Sequence, residues 1–531
     1  MKRKALISVA VLISATVSAQ EVTDAFRYSK TDIVGTARYM SMAGAYGALG
    51  GDITTLSNNP AGIGIYRSSE VVTTLSIGGV NTSSSLPANR FKIEGTNYNN
   101  SKFNIACNNL GYVGTFKTGK RNGLVNFNVG FSFNRLGGEK RNYKVTQDYM
   151  QGSLSRYIAA KASAWGGNSN TLVASNGSNY DPYYETNAPW LAIMAYNTGI
   201  IDGTGNNYQG LYANDADVFN AGDLKVEESS RIDEYSFNVG GNISNMVYWG
   251  LGIGVEDLNY TTRTYYDDVY FTNNNSETLT QMQLDNYLNT TATGINVKGG
   301  LIIRPINSWR LGVAVHTPTW YQLSDRYNAQ MTAINPQSYA NYETMLSPDE
   351  VFDYRLRTPW KFQFSTALIF KKYGLLSLEY EIVDYSQMTF NDNDGFEGNF
   401  SGVNGDISSL MTTMNTLKIG SEIRLIPPVI FRLGYAYQSS GYGKDVRDNS
   451  VQMYTAGTLP NYNVNLSTNY FTGGLGYRIN DFFMDMAFVY KMNKQDAYLF
   501  PKLFEGNTLN SIPSELKTDS YNFLVTLGYK F

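Results

Sequence analysis

Cysteine is nearly absent. Cys107 stands alone among 531 residues, so no disulfide within the chain is possible, and we read it as a small packing residue. Histidine is as scarce. The single His316 lies in His316-Thr317-Pro318-Thr319-Trp320 with no serine or aspartate marked as a partner by spacing. The nucleophile, base and orienting acid of a hydrolase are therefore not legible, and His316 reads as a rim residue at a strand end. Charge is sparse too: 16% of residues are ionic, the formal net charge is -3, and no basic run follows the first few residues, which excludes a nucleic-acid partner. No later segment offers the unbroken apolar run that a membrane-spanning helix needs. Nothing calls for a metal or a cofactor. The acidic run Asn391-Asp392-Asn393-Asp394-Gly395-Phe396-Glu397 misses the EF-hand spacing and reads as a solvated hairpin tip.

Aromatics and glycine are abundant instead, with 41 Tyr, 26 Phe and 50 Gly. The chain opens on Lys2, Arg3 and Lys4, an apolar run from Ala5 to Val17, and Val17-Ser18-Ala19 before Gln20. Residues 1–19 are thus expected to be a secretory signal peptide cut after Ala19. An exported chain rich in aromatics and lacking membrane helices fits an outer-membrane β-barrel, whose apolar residues are diluted by alternation.

The period-two test locates that barrel. Val71, Thr73, Leu75 and Ile77 mark a first strand, and Phe103, Ile105 and Cys107, with a register break before Tyr112 and Phe116, a second. Val125, Phe127, Val129, Phe131 and Phe133 alternate with Asn126, Asn128, Gly130 and Ser132, which separates a lipid-facing set from a lumen-facing one. Equivalent patterns start near Tyr235, Val247, Ile295, Trp309, Phe362, Leu376, Leu417, Val429, Phe471 and Phe482, and the last runs from Tyr521 through Phe523, Val525, Leu527 and Tyr529 to Phe531. That makes an all-β, antiparallel transmembrane barrel of about 14 strands over residues 67–531, with short connections alternating with long ones. A strand that ends on a C-terminal Phe resembles the signal read by the barrel assembly machinery, which is expected as a partner during biogenesis, with outer-membrane lipids around the finished barrel.

Ahead of the strands lies Gly35 to Gly64, built of Gly and Ala with few apolar anchors. Such a segment cannot make its own core, but its small residues allow close approach to surrounding surface. Asp52 is placed to cap a short turn through Leu56, and Asn59-Pro60 ends it. We read residues 20–66 as a hatch wedged inside the barrel. Arg38, Met40, Met42, Gly44, Ala45 and Asp52, followed by Asn59, Pro60, Ala61 and Gly62, resemble the hatch of the FadL/TodX family of outer-membrane transporters. The resemblance implies a plugged barrel that passes hydrophobic small molecules such as long-chain fatty acids, captured outside and released sideways through a gap in the wall.

Two further groups bear on function. Glu379, Glu381, Lys418, Glu422, Arg424, Arg432 and Asp485 fall on the face opposite the aromatics and point into the lumen, where charges of both signs brace the wall or the hatch. The longest loop, about 137–231, carries two stretches with helical spacing: Met150, Leu154, Tyr157 and Ile158, then Trp190, Ile193, Met194 and Tyr196. The second is expected to flank a ligand groove. Large helical loops come later in the family's strand order, so no ligand-binding residue is carried over from it. Rival readings are a FadL-like protein-interaction barrel serving a secretion system and an open porin. In every one of them the chain is not an enzyme.

Overall fold

Alternation of period two closes here into a cylinder. The computed structural model describes residues 20–86, 98–148, 150, 152–173, 180–213, 215, 217–272, 278–334, 342–426, 428–502 and 512–531; the expected signal peptide, 1–19, lies outside them. Its barrel has fourteen antiparallel strands. In order they are β1 (Glu70–Ser85), β2 (Tyr98–Lys117), β3 (Leu124–Gly137, continued by Lys140–Gln147), β4 (Val218–Ile243), β5 (Val247–Thr272), β6 (Thr278–Ile306) and β7 (Trp309–His316, continued by Trp320–Ile334). The other half comprises β8 (Glu350–Arg357, continued by Lys361–Phe370), β9 (Gly374–Asp384, continued by Thr389–Asn391), β10 (Thr413–Ile426), β11 (Val429–Gln438), β12 (Tyr462–Ile479), β13 (Phe482–Tyr498) and β14 (Ser514–Lys530).

Closure is a full ladder between first and last strands, from Glu70↔Lys530 to Ser85↔Glu515. It ends in a reciprocal pair of backbone bonds between Ser69 and Phe531, of 3.1 and 3.0 Å. The Phe531 ring stacks on Tyr112 and Tyr529 across that seam. The register break in β2 is a bulge that places Cys107 opposite Leu75 but Asn109 opposite Thr74, so the outward set switches from Phe103 and Ile105 to Leu110 and Tyr112.

All six short connections gather at one end. There Ser244 and Asn245 both adopt a positive φ, 54°, as a tight hairpin requires. Toward that end the outward positions are apolar and exposed, Leu75, Phe237, Ile253, Val297, Val313 and Phe364 among them, while Asn126, Asn128 and Ser132 are buried inward. At the loop end the strands outrun any bilayer. β4, β5 and β6 are 26, 26 and 29 residues long, against roughly 9–11 for a spanning strand.

This extension corrects the expected loop of 137–231. The ladder Lys140–Gln147 against 222–229 continues the wall beyond Gly138, whose φ of 156° marks the kink. The loop proper therefore starts near 148 and ends near 217. It carries helices at Leu154–Trp165 and Trp190–Asn197 that roof the barrel, while Met150 precedes the first helix.

Candidate functional site

Residues 20–66 run down the lumen from loop end to turn end. The helix Val22–Ser29 sits highest, with Phe26 between the rings of Tyr385 and Tyr442 at 4.9 and 5.1 Å and Arg27 over Tyr260. Lower down, Thr36 Oγ1 donates to Asp52, whose carboxylate also accepts from the Thr54 amide at 3.0 Å and so organises the turn expected there. Asn59 then does two jobs: its Oδ1 accepts from Ala61 N at 3.1 Å, starting the 3-10 turn Pro60–Ile65, and its Nδ2 donates to the Gly47 carbonyl at 2.6 Å.

The wall is shaped to receive this segment. A Cβ on Gly300 would stand 1.9 Å from Asn59 Oδ1, one on Gly250 2.1 Å from the Pro60 carbonyl oxygen, and one on Gly434 2.4 Å from the Met42 carbonyl carbon. Asn59, Pro60, Ala61 and Gly62 are all buried against β4–β6 in this way. Those inward glycines have no polar signature in the sequence, so period-two reasoning sees only that they are not apolar.

The lumen charges meet the hatch as well as each other. Glu379 accepts from Lys418 Nζ at 2.8 Å and from the Gly47 amide at 2.7 Å, and Lys418 lies 3.4 Å from Glu381. Arg432 bridges Glu422 at 2.9 Å and Asp485 at 2.6 Å with no exposure of its own side chain. Arg424 also pairs with Glu422, at 2.6 Å, but reaches solvent at the turn end. Pairing offsets the cost of burying these ions, and breaking one pair would leave a charge stranded. One expectation fails here: His316 is not a rim residue. It is buried in the lumen and its Nε2 donates to the Asn58 carbonyl at 2.6 Å, because an inward strand position beside a plug faces the plug and not water. Cys107 is half-buried, and its Sγ lies 3.7 Å from the Asn109 carbonyl beside the β2 bulge.

Trp190, Ile193 and Met194 are buried and Tyr196 half-buried. Trp190 packs on Tyr183 and on Tyr327 of β7 with ring centroids 5.2 and 5.5 Å apart, so these side chains line the inside of the roof. At the hairpin tip Asp392 accepts from the Phe396 amide at 3.0 Å, and among the described residues no group of acidic, His or Cys side chains is arranged to hold a metal.

Open space remains beside the upper hatch. A chamber of about 150 Å³ is bounded by Lys30, Asp32, Glu139, Arg141, Glu228 and Lys491 among others. Lys491 pairs with Asp32 at 2.8 Å and Arg141 with Glu228 at 2.7 Å. Lys30 has no ion pair among the described residues, and burial lowers its ammonium to about 8 against the pull of Asp32. A second cavity, about 100 Å³, lies between the hatch segment 28–34 and the wall at Thr317, Thr319, Thr358, Pro359 and Tyr385.

At that wall three neighbouring strands are interrupted at one height. The β7–β8 ladder stops at His316↔Lys361 and resumes at Trp320↔Arg357, and the β8–β9 ladder stops at Lys361↔Val383 and resumes only at Arg357↔Thr389. Pro318 and Pro359, which cannot donate to a ladder, sit in the two gaps, and β9 turns through Tyr385–Gln387.

No protein-family model matches the chain, and no curated protein does. Solved structures do. A Pseudomonas aeruginosa FadL homologue is 12% identical, with 94% of this chain and 100% of that one covered and a TM-score of 0.50. The Pseudomonas putida toluene transporter TodX (11%, 94% and 99%, 0.46) and the Ralstonia pickettii toluene transporter TbuX (12%, 94% and 99%, 0.43) are further matches. At such identity the likeness is one of fold. In fold, then, the chain is a closed fourteen-strand antiparallel barrel like that of the FadL homologue, with its own N-terminal hatch inside the lumen.

Proposed function

We propose that the chain carries hydrophobic small molecules, long-chain fatty acids among them, inward across the outer membrane of a Gram-negative bacterium by diffusion, without energy coupling or catalysis. One observation carries this reading: the spaces beside the hatch lead to a wall whose ladders are broken in three adjacent strands. A sideways exit needs a place where strands part at low cost, and here the continuous β7–β8 ladder gives way to Thr358 N donating to the Thr319 carbonyl at 3.1 Å and Thr319 N donating to Thr358 Oγ1 at 2.8 Å.

Lys30 supports a fatty acid over a plain hydrocarbon. Half-buried at the edge of the larger chamber and without an ion pair among the described residues, Lys30 offers a counter-charge to a carboxylate. Neither cavity holds a whole ligand, since small-molecule sites run to roughly 300–1,000 Å³, so entry requires the hatch to shift and the roof helices to part. Burial of about ten methylenes at about 0.8 kcal/mol each then sets an affinity no tighter than micromolar after entropic costs. The open-porin reading is not favoured, because residues 20–66 occupy the lumen.

The test has two arms. Purified Lys30→Met should lose preference for a labelled long-chain fatty acid over the matching alcohol. Pro318→Val with Pro359→Val, which restores two ladder donors, should leave binding intact and slow uptake by cells. No binding of either lipid to the unaltered protein would sink the functional reading, and unchanged uptake would move the exit elsewhere.

A further inference from the structure

The outward face of β8 changes character abruptly. From Trp360 through Phe362 and Phe364 to Phe370 it is exposed and apolar; from Arg357 toward the loops it is charged. Trp360 and, on β7, Trp320 stand at that boundary, 42% and 49% exposed. Tryptophan in such a position marks the edge of the hydrocarbon, where its ring meets lipid headgroups. Arg355 and Arg357 occupy the next two outward positions, and Trp320 is the register partner of Arg357. Both guanidiniums are exposed, and among the described residues neither has an ion pair or a side-chain hydrogen bond. Other outward arginines on this side are engaged: Arg326 with Asp349 at 2.6 Å, Arg231 with Asp257 at 3.2 Å, and Arg135 with Asp233 at 2.9 Å.

We infer that Arg355 and Arg357 form a seat on the outer wall for the phosphate of an outer-leaflet lipid, lipid A. The two side chains leave one strand roughly 7 Å apart, close enough for long guanidinium arms to grip one phosphate together or two phosphates of one headgroup singly. Guanidinium suits phosphate because its planar fork donates two parallel bonds. Trp320 and Trp360 lie below the pair, where the acyl chains of the same lipid would run. Nearby carboxylates compete for this approach without pairing: Asp353 is one outward step farther from the apolar band, and Arg355 Nη1 would stand 3.2 Å from a Cβ on Gly395, in the turn that holds Asp392, Asp394 and Glu397, so a phosphate must draw that guanidinium off the turn toward Arg357. A lipid seated there would border the interrupted ladder at Thr358–Trp360.

The probe is lipid A added to the full-length barrel in detergent, with retention read by native mass spectrometry. The Arg355→Gln, Arg357→Gln double variant should bind lipid A about tenfold more weakly, while Arg326→Gln, which removes an arginine already paired, should not. Dephosphorylated lipid A should bind the unaltered protein as weakly as lipid A binds the double variant. Equal retention by the double variant, or equal retention of the dephosphorylated lipid, overturns the seat, and competition by inorganic phosphate at matched concentration overturns its assignment to a lipid. Heat-modifiable migration confirms that the variants fold. Fatty-acid binding in the same variants stays unchanged, so this outcome is read separately from the transport proposal.

Discussion

At the residue scale the hatch is held by what the wall omits. Gly250, Gly300 and Gly434 are inward strand positions where any side chain would enter the space of Pro60, Asn59 or Met42. Gly300→Val therefore has two ways to relax, by deforming β6 or by expelling the Asn59 turn, and the turn is the softer partner because it is tied by few bonds. The expected result is a barrel with normal heat-modifiable migration that conducts ions in planar bilayers. A closed variant would show that the wall yields first. Asn59 and Glu379 meet at Gly47, Asn59 donating to its carbonyl and Glu379 accepting from its amide. The sequence motif and the lumen charges thus fasten the same hatch residue.

At the element scale the upper helix Val22–Ser29 is a plug end that loosens as pH rises. Burial, with Asp24 alongside, pushes Glu21 up to about 8, although the Ala456 amide donates to it. Its folded value is above the ordinary 4.5, so the native state holds a proton that the free segment loses. That contribution is full below the ordinary value and lost as pH rises through about 8. Protection factors of residues 22–29, exchange rates referred to the intrinsic rate at each pH, should fall between pH 5 and pH 8.5, and Glu21→Gln should flatten the dependence. Constant protection across that window would place the helix under the control of other groups. The roof helix Trp190–Asn197 is a different kind of element, apolar all round and enclosed by Tyr183, Tyr327 and its neighbours. Truncating Trp190 and Ile193 together to Ala removes contacts worth about 3–5 kcal/mol for the aromatic alone. If the roof forms one flank of the entry, fatty-acid binding should fall while the barrel migrates normally. Unaltered binding with a protease-sensitive loop would confine these residues to loop packing.

At the scale of the whole molecule, the strand ladder of the barrel is complete without the plug. The fourteen-strand ladder closes through β1 and β14 with no contribution from residues 20–66. Deleting Thr31 to Gly64 should leave a barrel that inserts and conducts. The cost falls on the buried ions, because Glu379 and His316 each lose a hatch partner. A deletion variant that fails to fold would make the hatch part of the barrel's core.

What the sequence determined by itself follows from strict local rules. A strand has a period of two, so alternation along Val125 to Phe133 or Tyr521 to Phe531 names both the element and its two faces, and tight turns between such runs order the strands. Even the β2 bulge was legible, as a switch of parity between Cys107 and Tyr112. A run of small residues ending in Asn59-Pro60-Ala61-Gly62 marked the plug, because nothing that small can build a core alone. The tertiary structure decided everything that depends on which positions meet. His316 became a hatch contact, Trp190 and Met194 became roof interior, and the long loop shrank as β3 and β4 kept pairing beyond Gly138. The broken wall at Pro318 and Pro359 belongs to that class. Each proline is visible alone, but only closure of the sheet brings residues 41 apart in sequence to one height beside the same cavity, and that coincidence is a property of register.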